Sequence, residues 1–343
     1  MERAGLDREQ IRSILSLYHL DPLEDFGGLA DGEHNSSYWV RVAGRKYVLR
    51  VIERTRVDDL VYEKELLLHL GRYDLPVPRL LRNVARGTFT PWAARGRFVS
   101  LFEHSGGRPV GVFEIRARHL RSVGRFLGHL HLATTGFLRS RECSTSLWHL
   151  GERLVRLEGA LKKRRLPRRL GPTLERLRGE LDRQLALDRE GLPQGTIHGS
   201  MGVRNTRWQS SGLVGVLGFE TSARDRYLWE LAVALSDWCW QPSTRQRGGP
   251  AGRFSVPRIR ALLDGYGAIR PLIAEEWVLF GDELKLAAVA QAIAALSEGE
   301  LLRISSGPAY RDHRHALVRL DALEQGALLP LYAPARNPLK APK

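Results

Sequence analysis

Cysteine is nearly missing from this chain: Cys143 and Cys239 are the only two in 343 residues. Two thiols so far apart indicate neither a disulfide framework nor a cysteine-based zinc site. Long apolar runs are missing as well. The longest, Leu284 to Leu296, is too short for a bilayer crossing of about 20 residues, and its small side chains suit a buried helix. Met1-Glu2-Arg3 opens without the apolar stretch of a secretory signal, so the expectation is a cytoplasmic protein with no membrane partner. Lysine is scarce too. Only seven of the 53 basic residues are lysine, so the net charge of +15 is almost entirely arginine. Such a bias reflects a GC-rich coding sequence more readily than a nucleic-acid surface, and no helix-turn-helix, zinc-finger or RNA-binding signature accompanies it. The densest basic run, residues 162–169, falls between two amphipathic helical patterns and reads as a solvated helix end.

What is present describes an ordinary globular protein, with 43% hydrophobic and 27% charged residues. A chain of this length buries roughly three-quarters of its unfolded surface and has room for two lobes. Residues 9–19 read as a short helix with Ile11, Ile14, Leu15 and Tyr18 inward. Residues 38–42 and 47–51 flank Ala43-Gly44-Arg45 as a hairpin. A helix over 58–71 turns Leu60, Leu66, Leu67 and Leu70 inward and is stopped by Leu75-Pro76-Val77-Pro78. Residues 97–103 form a further strand. Beyond it the pattern is helical over 112–135, 146–162, 171–188, 226–240, 256–268 and 273–302, with a short β interlude around residues 197–220. The expected architecture is α+β: an antiparallel-sheet lobe over 1–103, a mainly helical lobe over 104–331, and a Pro- and Ala-rich tail over 332–343.

The chemistry concentrates in the interlude. His198-Gly199-Ser200, with Asn205 seven residues after the His, has the spacing of a kinase catalytic loop, H-G-D-x-x-x-x-N. In such loops the Asp takes the acceptor hydroxyl's proton and the Asn holds a metal. Thirteen residues after Asn205 comes Val216-Leu217-Gly218-Phe219-Glu220, where such kinases carry an apolar strand ending in a metal-binding Asp. Upstream features fall in matching order. Small and hydroxyl residues of the 32–37 turn, including Asn35, Ser36 and Ser37, let backbone donors approach phosphate oxygens. Arg50 supplies a strand cation and Glu63, on the next helix, a carboxylate to hold it. Phe102-Glu103 closes the last strand where a hinge would meet an adenine edge.

These pieces resemble the type II homoserine kinases, within the aminoglycoside phosphotransferase and choline kinase-like superfamily. The resemblance runs from about residue 25 to 300. It includes Asn35-Ser36-Ser37-Tyr38-Trp39-Val40, Leu192-Pro193-Gln194-Gly195-Thr196-Ile197-His198, Leu228-Trp229-Glu230-Leu231-Ala232, Asp237-Trp238-Cys239 and Tyr266-Gly267-Ala268-Ile269-Arg270-Pro271-Leu272. It implies a two-lobed protein-kinase-like fold, ATP, magnesium and a small amino-alcohol acceptor.

The departures fall on the chemistry. By the resemblance, Ser200 stands where the base Asp belongs and Gly218 where the metal-binding Asp belongs. A neutral serine forfeits general-base catalysis, typically worth about 10² to 10⁴-fold. Glycine gives the metal no carboxylate. The leading expectation is therefore a pseudokinase with a binding or regulatory role toward a small molecule or a protein partner, with weak ATP binding and little use for magnesium. The alternative is an active kinase in which Glu220, with Asn205, holds the metal. On a strand Glu220 would face the same side as Gly218, about 6.5–7 Å further along, and Asp225 is a second candidate. A basic nucleic-acid-binding protein is the third reading, and it would show steeply salt-dependent affinity.

Overall fold

The structure is a computed structural model that describes residues 5–29, 35–52, 56–92, 97–141, 147–243, 250–301 and 312–332. Gly32, Glu33 and His34 of the proposed phosphate turn, Cys143, and the tail beyond Tyr332 lie outside the described residues. The chain divides into two compact units. The first comprises Met1–Val110, Leu132–Arg141 and Arg204–Ser222; the second comprises Gly111–His131, Glu142–Val203 and Ala223–Lys343.

The first unit is built on a five-stranded antiparallel sheet. Its strands are β1 (Leu23–Leu29), β2 (Ser36–Val42), β3 (Arg45–Ile52), β4 (Thr90–Trp92) and β5 (Arg97–Glu103), in spatial order β1-β2-β3-β5-β4. Ala43 and Gly44, both at positive φ (48° and 71°), make the two-residue turn of the β2–β3 hairpin. Positive φ at both positions matches the right-handed twist of the flanking strands. Helix α1 (Arg8–Ser16) starts at Asp7, whose carboxylate accepts from Gln10 N while the Gln10 side chain accepts from Asp7 N. Its Ile11, Ile14 and Leu15 join Val40, Leu49, Val51, Val99 and Leu101 in one buried cluster. Because strand side chains alternate, burying Leu49 and Val51 against α1 sends Arg50 to the opposite face. There it meets α2 (Val57–Leu70), whose Leu60, Leu66, Leu67 and Leu70 are buried as their spacing predicts.

Residues 204–222 join this unit through the hairpin of β7 (Thr206–Gln209) and β8 (Gly212–Val216). Trp208 and Arg108 exchange backbone hydrogen bonds, and Val216 N donates to Pro76 O. One expectation is corrected here. The apolar strand ends at Val216, and Gly218 is at φ 96°, opening a 3₁₀ turn over Phe219–Thr221. A left-handed residue rotates the chain out of a pleat, so Glu220 does not share a strand face with residue 218.

The second unit holds α3 (Ala117–Ala133, its last residues being assigned to the first unit), α4 (Leu147–Lys162), α5 (Gly171–Leu185), the pair β6 (Gln194–Ile197) and β9 (Ala223–Arg226), and α6 (Tyr227–Trp238). The hairpin β10 (Trp240–Pro242) and β11 (Gly252–Phe254) follows, then α7 (Val256–Gly267), α8 (Ala274–Leu296), α9 (His313–Glu324) and the short α10 (Leu329–Tyr332). Helix α6 buries all its residues except Val233 and Asp237, as a central helix must. Helices α3 and α7 touch backbone to backbone. A Cβ on Gly124 would collide with Leu262 O, and one on Gly265 with Arg121 O. Among the described residues no helix is long and apolar enough to cross a membrane.

Candidate functional site

The first unit assembles a cation site on the sheet face away from α1. Strand register sets Arg50 opposite Ser37 on β2 and opposite Ser100 on β5, so the three side chains share one face. Arg50 Nη1 donates to Glu63 Oε1 at 2.8 Å, as the sequence predicted. Glu63 also accepts from Lys64 Nζ through Oε2 at 3.2 Å. Both cations lie over the Phe102 ring, 4.8 Å (Arg50) and 4.7 Å (Lys64) from its centroid.

Burial of Arg50 opposes its charge, but Glu63 and Glu220 outweigh that effect and raise its pKa. Burial would push Glu63 up; Lys64 and Arg50 overcome it and hold the carboxyl below its usual range. Lys64 is the reverse case. Desolvation dominates and lowers its ammonium to about 8 despite Glu63. No local pattern marks a buried lysine here, since an E-K dipeptide inside a helix normally straddles the surface.

Glu220 belongs to the same group. Its Oε2 lies 3.7 Å from Arg50 Nη1 and is buried without a hydrogen-bond partner among the described residues, while its backbone carbonyl accepts from Arg141 Nη2 at 2.6 Å. Asn205 sits where a side chain at 218 would go: an ideal Cβ on Gly218 would lie 2.9 Å from Asn205 Nδ2. Leu217 N donates to Asn205 O at 2.7 Å, tying the two segments together.

Magnesium bound to nucleotide phosphates takes oxygen ligands in near-octahedral order, with one or two carboxylates. No group of three or more His, Cys, Asp or Glu that would hold a metal occurs among the described residues. The amide of Asn205 lies against Gly218, and the carboxylate of Glu220 is turned toward Arg50. As they are arranged, the described residues do not fit a magnesium site.

The hinge expectation at Phe102-Glu103 meets a different arrangement. Phe102 is buried beneath the two cations, and Glu103 N donates to Arg79 O at 2.9 Å, so that backbone donor is already in use.

In the second unit the loop carrying Ser200 hangs from α6 by three hydrogen bonds. Gly199 N, at φ 83°, donates to Glu230 Oε1 at 2.8 Å. Met201 O accepts from Trp238 Nε1 at 3.1 Å, and Val203 N donates to Asp237 Oδ2 at 2.8 Å. His198 is fully buried and its Nδ1 accepts from Ser200 N at 3.2 Å.

Behind Glu230 runs a buried chain of hydrogen-bonding side chains. His131 Nε2 lies 2.8 Å from Glu230 Oε2, and His131 Nδ1 lies 2.8 Å from the Tyr266 hydroxyl. Arg270 Nη1 donates to that hydroxyl at 2.8 Å and to Glu276 Oε1 at 3.0 Å. A neutral imidazole protonated on Nε2 satisfies all of them: Arg270 donates to Tyr266, Tyr266 to His131, and His131 to Glu230. Burial dominates the imidazole and lowers its pKa despite Glu230. Glu230, Asp237, Tyr266 and Arg270 all fall in segments that the sequence marked only by resemblance. His131 was missed, because a histidine on an apolar helix face gives no sign of its partners.

The profile of the phosphotransferase enzyme family matches residues 25–272. The chain belongs to that family. It is similar to the homoserine kinase of Pseudomonas aeruginosa strain LESB58, with 32% identity over 276 residues, covering 79% of this chain and 81% of the relative. The homoserine kinase of Methylobacillus glycogenes is 27% identical over 308 residues, covering 88% and 90%. An amicoumacin kinase solved with AMP-PNP and Ca2+ superposes with a TM-score of 0.69 at 16% identity, over 94% of each chain. The fold is therefore kinase-like, and the chain is a homoserine kinase-like small-molecule kinase scaffold.

Proposed function

We propose that this chain is a pseudokinase of the homoserine kinase type, which binds a small molecule or a protein partner and transfers phosphate poorly or not at all. One observation carries the reading. The 199–203 loop keeps its full suspension from α6, through Glu230, Trp238 and Asp237, yet the residue it presents is Ser200. A framework of this kind positions a base, and serine is none at neutral pH. Gly218, with Asn205 lying against it, supports the same conclusion for the metal. Arg50 and Ser37 retain a positive charge and a donor for a nucleotide phosphate, so ATP binds weakly and with little help from magnesium.

The deciding experiment is a coupled assay of ATP consumption with homoserine. Turnover within about 100-fold of a typical kcat of about 10 s⁻¹ overturns the reading. A second reading, an active small-molecule kinase, is favoured by one detail: Glu220 Oε2 makes only a loose 3.7 Å ion pair with Arg50 and no hydrogen bond among the described residues, so a shift of its side chain would give a metal one carboxylate. Calorimetry with ATP separates the two. Tight binding that collapses in chelator supports the active enzyme, whereas weak binding that changes less than about tenfold, or 1.4 kcal/mol, supports the pseudokinase.

A further inference from the structure

The second unit contains a hollow of about 700 Å³ between the segment preceding α3 and the β10–β11 hairpin with the start of α7. That volume lies in the range of small-molecule sites. Its position matters, because it adjoins the C-terminal end of α6, where Asp237 and Trp238 hold the Ser200 loop. Cys239 O accepts from Ser255 N at 2.9 Å, which fixes the root of α7 to that end.

Three arginines line the hollow, Arg116, Arg253 and Arg258, and no acidic residue does among the described residues. Two of them converge on one turn. Arg258 Nη2 donates to Val112 O at 3.3 Å, and Arg116 Nη1 donates to Phe113 O at 2.9 Å. The nearby acid is committed elsewhere: Glu114 Oε2 accepts from Gly111 N at 3.0 Å. Arg258 also carries a buried Nη1 with no hydrogen-bond partner among the described residues.

Arginine is abundant in this chain, so a chance cluster is the competing explanation. Other arginines of the same unit argue against it. Arg178 has Glu158, Arg189 has Glu283 and Arg270 has Glu276. At the hollow the positive charges repel one another: burial lowers the pKa of Arg258, and Arg116 lowers it further. An incoming anion relieves that repulsion. The rim adds Val112 and Phe113, 39% and 66% exposed, which suit a short carbon skeleton.

We propose that this hollow binds a small anionic molecule, its carboxylate or phosphate gripped by Arg116, Arg253 and Arg258 and its carbon chain against Val112 and Phe113. The proposal rests on the pseudokinase reading above and names the ligand class of its small-molecule pocket. Guanidinium forks recognise both anions in bidentate fashion, so the test separates them.

Calorimetry is run on the full chain without nucleotide. The probes are L-homoserine, O-phospho-L-homoserine, homoserine lactone (which lacks the carboxylate) and inorganic phosphate. At least one of the carboxylate or phosphate probes is expected to bind with a Kd below about 1 mM, with the lactone at least about tenfold weaker. Arg253→Gln is exposed and safe for folding; Arg258→Gln is the second variant, and Arg164→Gln the control. A loss of about tenfold in either pocket variant, with its melting temperature unchanged and the control unaffected, supports the site. Absence of anion binding, lactone binding as well as homoserine with phosphate inert, or no loss in either variant overturns it. Because no ATP is present, the two ideas fail separately: homoserine turnover would remove the pseudokinase reading and leave the anion site standing.

Discussion

Arg50 holds two carboxylates at once, Glu63 Oε1 at 2.8 Å and Glu220 Oε2 at 3.7 Å from the same Nη1. The second of these sits where an anionic ligand on Arg50 would go. Glu220→Gln is therefore expected to strengthen ATP binding in chelator by a few-fold, under about 1 kcal/mol because the Glu220 side chain is partly exposed. Calorimetry with and without magnesium checks it. Weaker binding together with lost magnesium dependence would instead identify Glu220 as a metal ligand.

Placing carboxylates at 200 and 218 tests the proposed loss of phosphate transfer directly. Gly218→Asp alone is expected to cost about 1–2 kcal/mol, because φ at 218 is 96° and a side chain there must displace the Asn205 amide. Ser200→Asp should cost little by comparison, since residue 200 is only half-buried. Urea denaturation should rank the variants in that order. The double variant is expected to turn over ATP with homoserine faster than wild type, and an unchanged rate would show that acceptor binding is lost as well.

His131 makes stability depend on acidity. Burial lowers its folded-state pKa below the unfolded value of about 6.5. The unfolded chain then takes up a proton that the folded chain refuses. Stability is complete above about pH 6.5 and falls below it, by at most about 1.4 kcal/mol per pH unit for this group. Urea midpoints at pH 7.5 and 5.5 should therefore fall more steeply for wild type than for His131→Asn, whatever the variant's absolute stability. Equal slopes would show that the imidazole is already charged in the fold.

Lys64 acts at the other end of the scale. Its ammonium titrates at about 8 in the fold against 10.5 as the ordinary value, so between those limits the unfolded chain binds the extra proton. Stability contributed here rises with pH from about 8 to 10.5. Lys64→Met removes the effect. The variant is expected to match or exceed wild type at pH 7 and to lose that advantage by pH 10, as read by thermal melts in the two buffers.

Much of this was legible beforehand, and the omissions share a cause. The β5 strand, α2 and the inward leucines followed from period and composition, because burial there is repetitive. Strand β1, Leu-Glu-Asp-Phe-Gly-Gly-Leu, is an edge with little alternation, and β4 is three residues long, so neither stood out. Helix α9 carries four charges and two histidines over 12 residues, which hid its buried Ala316, Leu320 and Leu323. At the site, the pairing of Arg50 with Glu63 is expected from the kinase-like order of features along the chain, and the two side chains do hydrogen-bond. Gly218's left-handed turn, the buried Lys64 and the His131 chain depend on contacts between distant segments, which no local pattern records.

The glycine contact between α3 and α7 has a consequence for how this sequence can drift. On the proposed pseudokinase reading the chain has no reason to keep an acid at 200 or 218, yet nothing releases it from Gly124 and Gly265. Any side chain at either would force apart the helices that carry His131 and Tyr266, and through them Glu230 and the Ser200 loop. Natural variation in such a protein should therefore be permissive at the chemical positions and severe at two residues that never meet a ligand, the inverse of the pattern in a working enzyme.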